Sequence, residues 1–237
     1  MKKTLLSIFA VCGILAATNA QLVNIPDANF KAYLVGNTNI NTNGDTEIQS
    51  TEATAFTGTI NCNGSNISDL TGIEAFTALT EIYCYTNNIS SVDFSSNTSL
   101  EIINISTNNL TSIDVSNNIN LKLLWCKKNQ LTNLNVTANP LLENLLCESN
   151  NLTSLNTSLN PLLKGLHCRN NALTSLNILN NPLLEQLTCD TNQLISIDLS
   201  NNIALKLFQC KSNNITQLDL SNNVNLNNFV CNSVPHI

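Results

Sequence analysis

Residues 142–162, LENLLCESNNLTSLNTSLNPL, form the 21-residue unit that decides the fold. The same unit returns before and after this stretch, and cysteine marks it most clearly. Counting back two further steps of 21 from Cys126 passes Ile105 and reaches Cys84. The cysteines at the fixed step are Cys126, Cys147, Cys168, Cys189, Cys210 and Cys231. A fixed period of this length predicts a solenoid, because a unit that cannot bury its own apolar face must stack on its neighbours.

Three apolar columns define the predicted core of the solenoid. Position 1 of the unit is leucine throughout, position 4 is Ile, Leu or Phe, and position 11 is Leu or Ile. The position 1 residues are Leu79, Leu100, Leu121, Leu142, Leu163, Leu184, Leu205 and Leu226. We expect one short strand per unit, such as residues 145–147, with all strands aligned in parallel.

The cysteines stand at position 6, where a small buried side chain fits the repeat. An even number of cysteines in an exported chain would ordinarily suggest disulfides. Equivalent residues on adjacent parallel strands, however, stand about 4.8 Å apart with parallel Cα–Cβ bonds, whereas a disulfide needs Cβ atoms about 3.5–4.5 Å apart and turned toward each other. We therefore expect free thiols in the core. A straight row of thiols also cannot surround a metal ion tetrahedrally.

Two asparagine columns complete the unit, at positions 9 and 19. The tight turns of each coil leave backbone groups that cannot pair in a sheet, and a buried amide can bond them from inside. We assign both columns to the scaffold. They are Asn87, Asn108, Asn129, Asn150, Asn171, Asn192 and Asn213 at position 9, and Asn97, Asn118, Asn139, Asn160, Asn181, Asn202 and Asn223 at position 19.

Three regions divide the chain. Residues 1–20 combine Lys2 and Lys3 with an apolar run and small residues before Gln21, which predicts a cleaved signal peptide and export. Residues 21–57 predict an N-terminal cap with short helices near 26–34 and 51–56. Residues 58–237 predict a solenoid of about nine rungs whose C-terminal cap is absent, since the sequence stops part-way through a unit.

The loop at residues 41–52, NTNGDTEIQSTE, offers a second reading of the cap. It matches oxygen-ligand positions of an EF-hand calcium loop, although Asn replaces the leading Asp and Thr46 stands where the sharp turn favours glycine. A calcium site and a purely polar capping loop both remain open. The candidate ligands are Asn41, Asn43, Asp45, Glu47 and Glu52.

Composition restricts the class of partner. Without Lys2 and Lys3 the chain carries 8 basic against 16 acidic residues, a net charge of −8. This charge argues against nucleic acid or an anionic membrane as the partner. After residue 20 no apolar run approaches the length of a transmembrane helix, so we expect no transmembrane segment.

Residues 205–223, LKLFQCKSNNITQLDLSNN, and the first unit around residues 67–73, ISDLTGI, resemble the short leucine-rich repeats of secreted bacterial proteins, including the internalins and relatives associated with type IX secretion. The resemblance covers residues 58–237. It implies a curved leucine-rich-repeat horseshoe, an α/β-type solenoid dominated by short parallel β-strands, that binds proteins or cell-surface glycans.

The outward positions of the strands are the candidate ligand-binding surface. Positions 3, 5 and 7 of the early units place aromatic and aliphatic residues together, and Trp125 is the only tryptophan in the chain. Rigid aromatic residues in an apolar patch are typical anchors of protein interfaces. The alternative is that these side chains only stabilise the sheet by cross-strand contact. The predicted patch consists of Tyr83, Tyr85, Ile102, Leu123, Trp125 and Leu146.

Charges alternate in sign from unit to unit along two columns. If each charge faces an opposite one on both sides, a shift by one repeat would bring like charges together, so the alternation favours the correct register. The alternating residues are Glu101, Lys122, Glu143, Lys164, Glu185 and Lys206 at position 2, and Lys127, Glu148, Arg169, Asp190 and Lys211 at position 7.

No catalytic constellation stands out, and the mature histidines, His167 and His236, have no nucleophile or paired carboxylates at a distinctive spacing. We therefore expect a non-enzymatic recognition or adhesion module that is secreted or held at the cell surface. The alternative is a structural, calcium-stabilised envelope protein without a specific ligand.

Overall fold

The computed structural model describes residues 21–231. Two helices, α1 (Ala28–Gly36) and α2 (Ser50–Ala55), precede a parallel nine-stranded sheet whose strands follow one another in chain order. A 3-10 helix, Ile73–Ala75, lies between the first two strands. The strands are β1 (Thr59–Asn61), β2 (Glu81–Tyr83), β3 (Ile102–Asn104), β4 (Leu123–Trp125), β5 (Asn144–Leu146), β6 (Gly165–His167), β7 (Gln186–Thr188), β8 (Leu207–Gln209) and β9 (Asn228–Val230).

The strand register confirms the predicted repeat. Equivalent residues pair directly, so that Leu124 lies beside Ile103 on one side and Leu145 on the other. Ile60 pairs with Ile82, so the first unit is one residue longer than the others. The leucine-rich-repeat horseshoe predicted from the sequence is therefore the observed fold.

A single continuous core runs through the solenoid. The leucines of position 1 from Leu79 to Leu205 are fully buried, and they lie beside the equally buried residues of positions 4 and 11. Near the C-terminal end, the rings of Phe208 and Phe229 stack with centroids 5.8 Å apart. Each unit shares its apolar face with two neighbours, which is why no unit is expected to fold alone.

The position 9 asparagines bond successive coils together, as predicted. Asn129 is representative: its Nδ2 donates to the carbonyls of Ile105 and Cys126 at 3.0 Å each. Its Oδ1 accepts from the backbone N–H of Leu110, also at 3.0 Å. One side chain therefore satisfies backbone groups of two adjacent units that the sheet leaves unpaired.

The position 19 asparagines form a second ladder that is only half satisfied. Asn160 Nδ2 donates to the carbonyls of Val136 and Asn139 at 2.9 Å, yet its buried Oδ1 has no partner within residues 21–231. In contrast, Asn181 Oδ1 accepts a hydrogen bond of 2.8 Å from the hydroxyl of Thr157. Thr157 occupies position 16, where the described repeats otherwise carry an apolar side chain, Val136 among them.

The turn after each strand carries a backbone strain that the sequence did not reveal. Position 8 adopts a left-handed conformation in eight successive units: the first carries Gly64, with φ 61°, and the other seven carry residues other than glycine, with φ between 53° and 58°. Threonine in this region is unfavourable because its branched side chain crowds the backbone. The adjoining asparagine and the sheet hold the backbone on both sides of each turn, and these contacts stabilise the unfavourable conformation.

Asp27 joins the cap to the solenoid. Its Oδ1 accepts from the backbone N–H groups of Asn29 and Phe30, capping α1, while its Oδ2 accepts from the N–H and hydroxyl of Ser68 at 2.8 Å and from Asp69 N–H. Desolvation raises the pKa of this carboxyl, but the hydrogen bonds from Ser68, Phe30 and Asp69 together outweigh it, so that the pKa is lowered. The ionised carboxylate therefore holds α1 on the first repeat.

We predict that Thr157→Val lowers the free energy of unfolding by about 1 kcal/mol, because Asn181 Oδ1 loses its donor while the volume stays constant. The reverse exchange, Val136→Thr, places the same hydroxyl one unit earlier, where Asn160 Oδ1 has no partner. We expect Val136→Thr to leave stability unchanged or to raise it. Urea unfolding followed by circular dichroism measures both, and equal destabilisation by the two exchanges would contradict the assignment.

Candidate ligand-binding face

The sheet brings most of the predicted patch together on the concave face. Ile102 and Leu123 are direct neighbours in the position 3 column, and Trp125 and Leu146 are direct neighbours in the position 5 column. Tyr83 stands two units from Trp125, with Asn104 between them. The patch is therefore continuous across β3 to β5 and is interrupted by an amide toward β2.

The patch is less exposed than the sequence predicted. Of its six residues only Tyr85 is exposed, at 41%, while the other five are half-buried. The correction follows from the sheet geometry: strands about 4.8 Å apart pack large outward side chains against one another. A ligand on this face would therefore contact the exposed edges and ring faces of these side chains rather than the whole side chains.

Three buried polar atoms on this face lack hydrogen-bond partners within residues 21–231. They are Ser106 Oγ, Trp125 Nε1 and Glu148 Oε2, and the Glu148 residue is only 7% exposed. An unpaired indole N–H and an unpaired carboxylate oxygen each cost free energy in a folded protein. Sequence reasoning found Trp125 by its uniqueness but treated Glu148 only as one charge in an alternating column.

His167 lies beside Leu146 in the position 5 column, and its Nδ1 lies 3.0 Å from the hydroxyl of Thr188. Burial lowers the pKa of His167; Glu148 opposes this shift, while Arg169 and Lys127 add to it. The imidazole is therefore held in its neutral form near neutral pH. The centre of the concave face thus combines an indole, a neutral imidazole and a buried carboxylate.

Gly165 makes room for a neighbouring side chain beside this centre. It is the buried first residue of β6, at position 3 of its unit, and a Cβ there would collide with Asn144 Oδ1 on the preceding strand. The Asn144 amide therefore occupies space that a side chain takes in the other units. A glycine inside a strand column is a sequence signal for such close approach, although the sequence interpretation did not use it.

The alternating charges pair differently from the prediction. Within the described part of the chain, the ion pairs of position 2 form in twos rather than as a continuous row: Lys122–Glu101 at 2.6 Å, Lys164–Glu143 at 2.8 Å and Lys206–Glu185 at 2.9 Å. A lysine has one ammonium group and turns it toward one neighbour. In the position 7 column no ion pair forms among residues 21–231, and Asp190 instead accepts from the backbone N–H of Lys211 at 2.8 Å.

The cysteine column is mostly, but not entirely, as predicted. Six cysteines are free and buried, and burial raises the pKa of Cys126 and of Cys168 to about 12. Cys210 and Cys231, however, form a disulfide, which corrects the expectation of free thiols for this pair. Cys231 follows β9, which pairs only with β8 among the described residues, so its half-buried side chain is free to turn toward Cys210. Interior cysteines are fixed by a coil on each side.

We predict that the folded protein resists thiol reagents at pH 8, because the six free thiols are buried and their raised pKa values suppress the reactive thiolate. Reaction with a chromogenic disulfide should proceed only as the chain unfolds. In denaturant without reductant, residues 21–237 should titrate six thiols, rising to eight after reduction. Eight thiols before reduction would contradict the Cys210–Cys231 bond.

The loop at residues 41–52 is closed by its own hydrogen bonds. Glu52 Oε1 accepts from the Thr42 N–H and hydroxyl and from Asn43 N–H, while Asp45 Oδ2 accepts from the amides of Asn43 and Gln49. Glu47 instead forms an ion pair of 2.6 Å with Lys31.

The loop brings four of the five candidate calcium ligands together, but their side-chain oxygens already accept hydrogen bonds from donors of the chain. These four are Asn41, Asn43, Asp45 and Glu52. No cluster of three or more His, Cys, Asp or Glu suited to a metal occurs in residues 21–231. Calcium binding stays a prediction.

Comparison with known proteins shows which of them resemble this chain in sequence and in fold. Among curated proteins, Internalin J of Listeria monocytogenes is 37% identical over 73 residues, which is 31% of this chain and 8% of that protein. An internalin (InlF) from Listeria monocytogenes matches 90% of the chain and 65% of its own with a TM-score of 0.80 and 23% identity. Internalin C2 from the same species matches 92% of the chain and 98% of its own, with a TM-score of 0.74 and 18% identity. The chain has the leucine-rich-repeat fold of these solved internalins.

The scope of this likeness is limited. The internalin-like chain spans a small part of Internalin J, and the solved internalins share the fold at low sequence identity. No protein-family profile matches the chain, and none of these relatives indicates a catalytic family. Within residues 21–231 no helix is long and apolar enough to cross a membrane. The predicted signal peptide and His236 lie outside the described residues.

Proposed function

We propose that this internalin-like chain is an exported recognition module that binds a protein ligand on its concave face. The observation that carries the proposal is the cluster at the centre of that face, where Trp125 Nε1 and Glu148 Oε2 are buried and have no partner among the described residues. An unpaired buried polar atom costs free energy, and these two atoms differ from the unpaired position 19 amide oxygens because they belong to the outward columns of the sheet, where a ligand can reach them. A ligand that displaces neighbouring side chains and supplies an acceptor and a donor would satisfy both.

The surroundings of the cluster favour a protein over a strongly charged ligand. Ile102, Leu123 and Leu146 supply apolar surface next to Trp125, while the charges nearest to it are mixed in sign: Lys127, Glu148 and Arg169 follow one another along position 7. Interfaces typically join a rigid aromatic anchor to a polar rim of mixed charge. A polypeptide offers matching apolar side chains together with backbone donors and acceptors.

We predict that Trp125→Ala combined with Tyr83→Ala weakens binding of the protein ligand by about 100-fold, the usual effect of removing an interface anchor. Cell-surface and host extracts are passed over immobilised wild-type protein, and each captured protein is purified and titrated by biolayer interferometry. Ile195→Ala serves as the matched control, since Ile195 is an exposed apolar residue outside the patch. A captured protein that binds all three chains equally would disprove the patch.

We also propose calcium binding at the cap loop as the basis of the second function, a structural envelope protein. The support is the EF-hand-like spacing of Asn41, Asn43, Asp45 and Glu52, which the fold gathers in one loop. If the proposal is correct, millimolar Ca²⁺ should raise the melting temperature by a few degrees through preferential binding to the folded state, and Mg²⁺ should do so less. Identical melting curves with calcium and with chelator would contradict calcium binding at this loop.

A further inference from the structure

The exposed apolar surface of this protein is concentrated outside the concave face. Ten large hydrophobic residues are exposed within residues 21–231, and seven of them fall in one strip at positions 18, 20 and 21 of the repeat, in the segment that leads into each strand. We call this set the apolar strip. It consists of Ile119, Leu141, Leu159, Leu162, Leu183, Ile203 and Val224. Only Tyr85 of the ten belongs to the predicted concave patch.

A groove adjoins the apolar strip, and Leu159 and Ile203 of the strip line it. It has a volume of about 1010 Å³, and one wall is a column formed by Pro140, Pro161, Pro182 and Ile203. None of the residues that line it is charged. Contiguous apolar surface of this kind on a soluble protein indicates an interaction site rather than chance exposure.

The sequence removes charge from the repeat where the groove lies. Position 15 is aspartate in the flanking units, at Asp114 and Asp198 among others, but it is asparagine in three consecutive central units. These are Asn135, Asn156 and Asn177, and the same three units carry the prolines of the groove wall. All three asparagines are exposed. The three units that lack an aspartate at position 15 are therefore the units whose prolines line the groove.

The turn itself does not require this exchange. Asp114 Oδ1 accepts from Ser116 N–H at 2.9 Å, and Asn156 Oδ1 accepts from Ser158 N–H at 3.0 Å in the equivalent place. The hydrogen bonds to Asp114 lower its pKa, so that this carboxyl is ionised at neutral pH. Aspartate and asparagine make the same turn hydrogen bond, but Asn135, Asn156 and Asn177 also pair with one another in isolated parallel bridges, and they avoid the repulsion that Asp93 exerts on Asp114. The exchange therefore supports the local pairing of these units and also leaves this stretch of the surface uncharged.

We propose that the apolar strip is the interface between two copies of this chain, arranged antiparallel about a two-fold axis. Two properties of the strip favour a second copy. Both copies carry the same spacing of about 4.8 Å per rung, so the side chains of one strip fall between those of the other along its whole length, as a self-complementary surface requires. Residues 21–237 also carry 8 basic against 16 acidic residues, a net charge of −8, so two copies repel each other least where they meet through an uncharged surface.

The length of the strip suits this arrangement. From Ile119 to Val224 it covers five repeat steps, which corresponds to roughly 24 Å along the solenoid. A two-fold contact of this kind buries the strip and leaves the position 3, 5 and 7 columns outside the interface. Each dimer would then present two concave faces, and a ligand that is itself multivalent would be held more tightly by both.

Sedimentation equilibrium of residues 21–237 across a thousandfold range of concentration tests the proposal. We expect a monomer–dimer equilibrium for the wild-type protein. The triple variant Asn135→Asp, Asn156→Asp, Asn177→Asp restores the charge found in other units while keeping the turn hydrogen bond, and its dissociation constant should rise by about tenfold or more, since six added carboxylates meet at the interface. High salt should reverse part of this loss by screening.

A second variant and a control separate docking from folding. Leu159→Asn with Ile203→Thr copies residues that other units carry at these positions, Asn180 and Thr98, and should also weaken the dimer at least tenfold. Ile195→Thr removes an equally exposed apolar side chain outside the strip and should leave the dimer unchanged. Circular dichroism confirms folding of each chain. A wild-type protein that is monomeric throughout, or a dimer that both strip variants retain with the same dissociation constant, would overturn the proposal.

Discussion

The fold depends on hydrogen bonds from buried asparagine side chains to the backbone of the neighbouring coil. A strand of three residues satisfies few of its unit's backbone groups, and the turns that return the chain to the next strand leave the others facing the core. Asn129 and its equivalents bond these groups across two units, and the position 19 column repeats the principle with Nδ2 alone. Without these amides the leucine columns would bury unpaired carbonyls, which is costly.

This arrangement separates scaffold from function within each unit. The inward positions are nearly invariant because they meet the same neighbours in each coil, whereas the outward positions are free to vary. Variation at the centre of the concave face yields Trp125, Glu148 and His167 in one cluster. Variation in the segment before each strand yields the apolar strip, with charge removed at Asn135, Asn156 and Asn177. The two surfaces lie over overlapping units but on different parts of the coil.

Most of the fold and part of the candidate site could be predicted from the sequence. The period of 21, the core columns and the asparagine ladders follow directly from spacing, because a stacked repeat places equivalent residues in equivalent surroundings. The concave patch was also located by position. Its exposure was not, because the packing of large side chains such as Ile102 against Leu123 depends on contacts between strands. The groove went unnoticed for the same reason: its wall is built from prolines 21 residues apart, which are individually unremarkable turn residues.

The sequence by itself determined the solenoid, its register and which residues face the core, since a periodic pattern has only one stacking that buries all of its leucines. Only the tertiary structure decided how individual polar groups are partnered. Among residues 21–231 it left Glu148 Oε2 without a partner, placed the Thr157 hydroxyl on the Asn181 amide oxygen, paired the position 2 charges in twos and joined Cys210 to Cys231. The reason is physical. Periodicity fixes the position of a side chain only to within one rung of the solenoid. A hydrogen bond, an ion pair or a disulfide depends on differences in distance that are much smaller than the rung spacing, and also on the direction of the side chain.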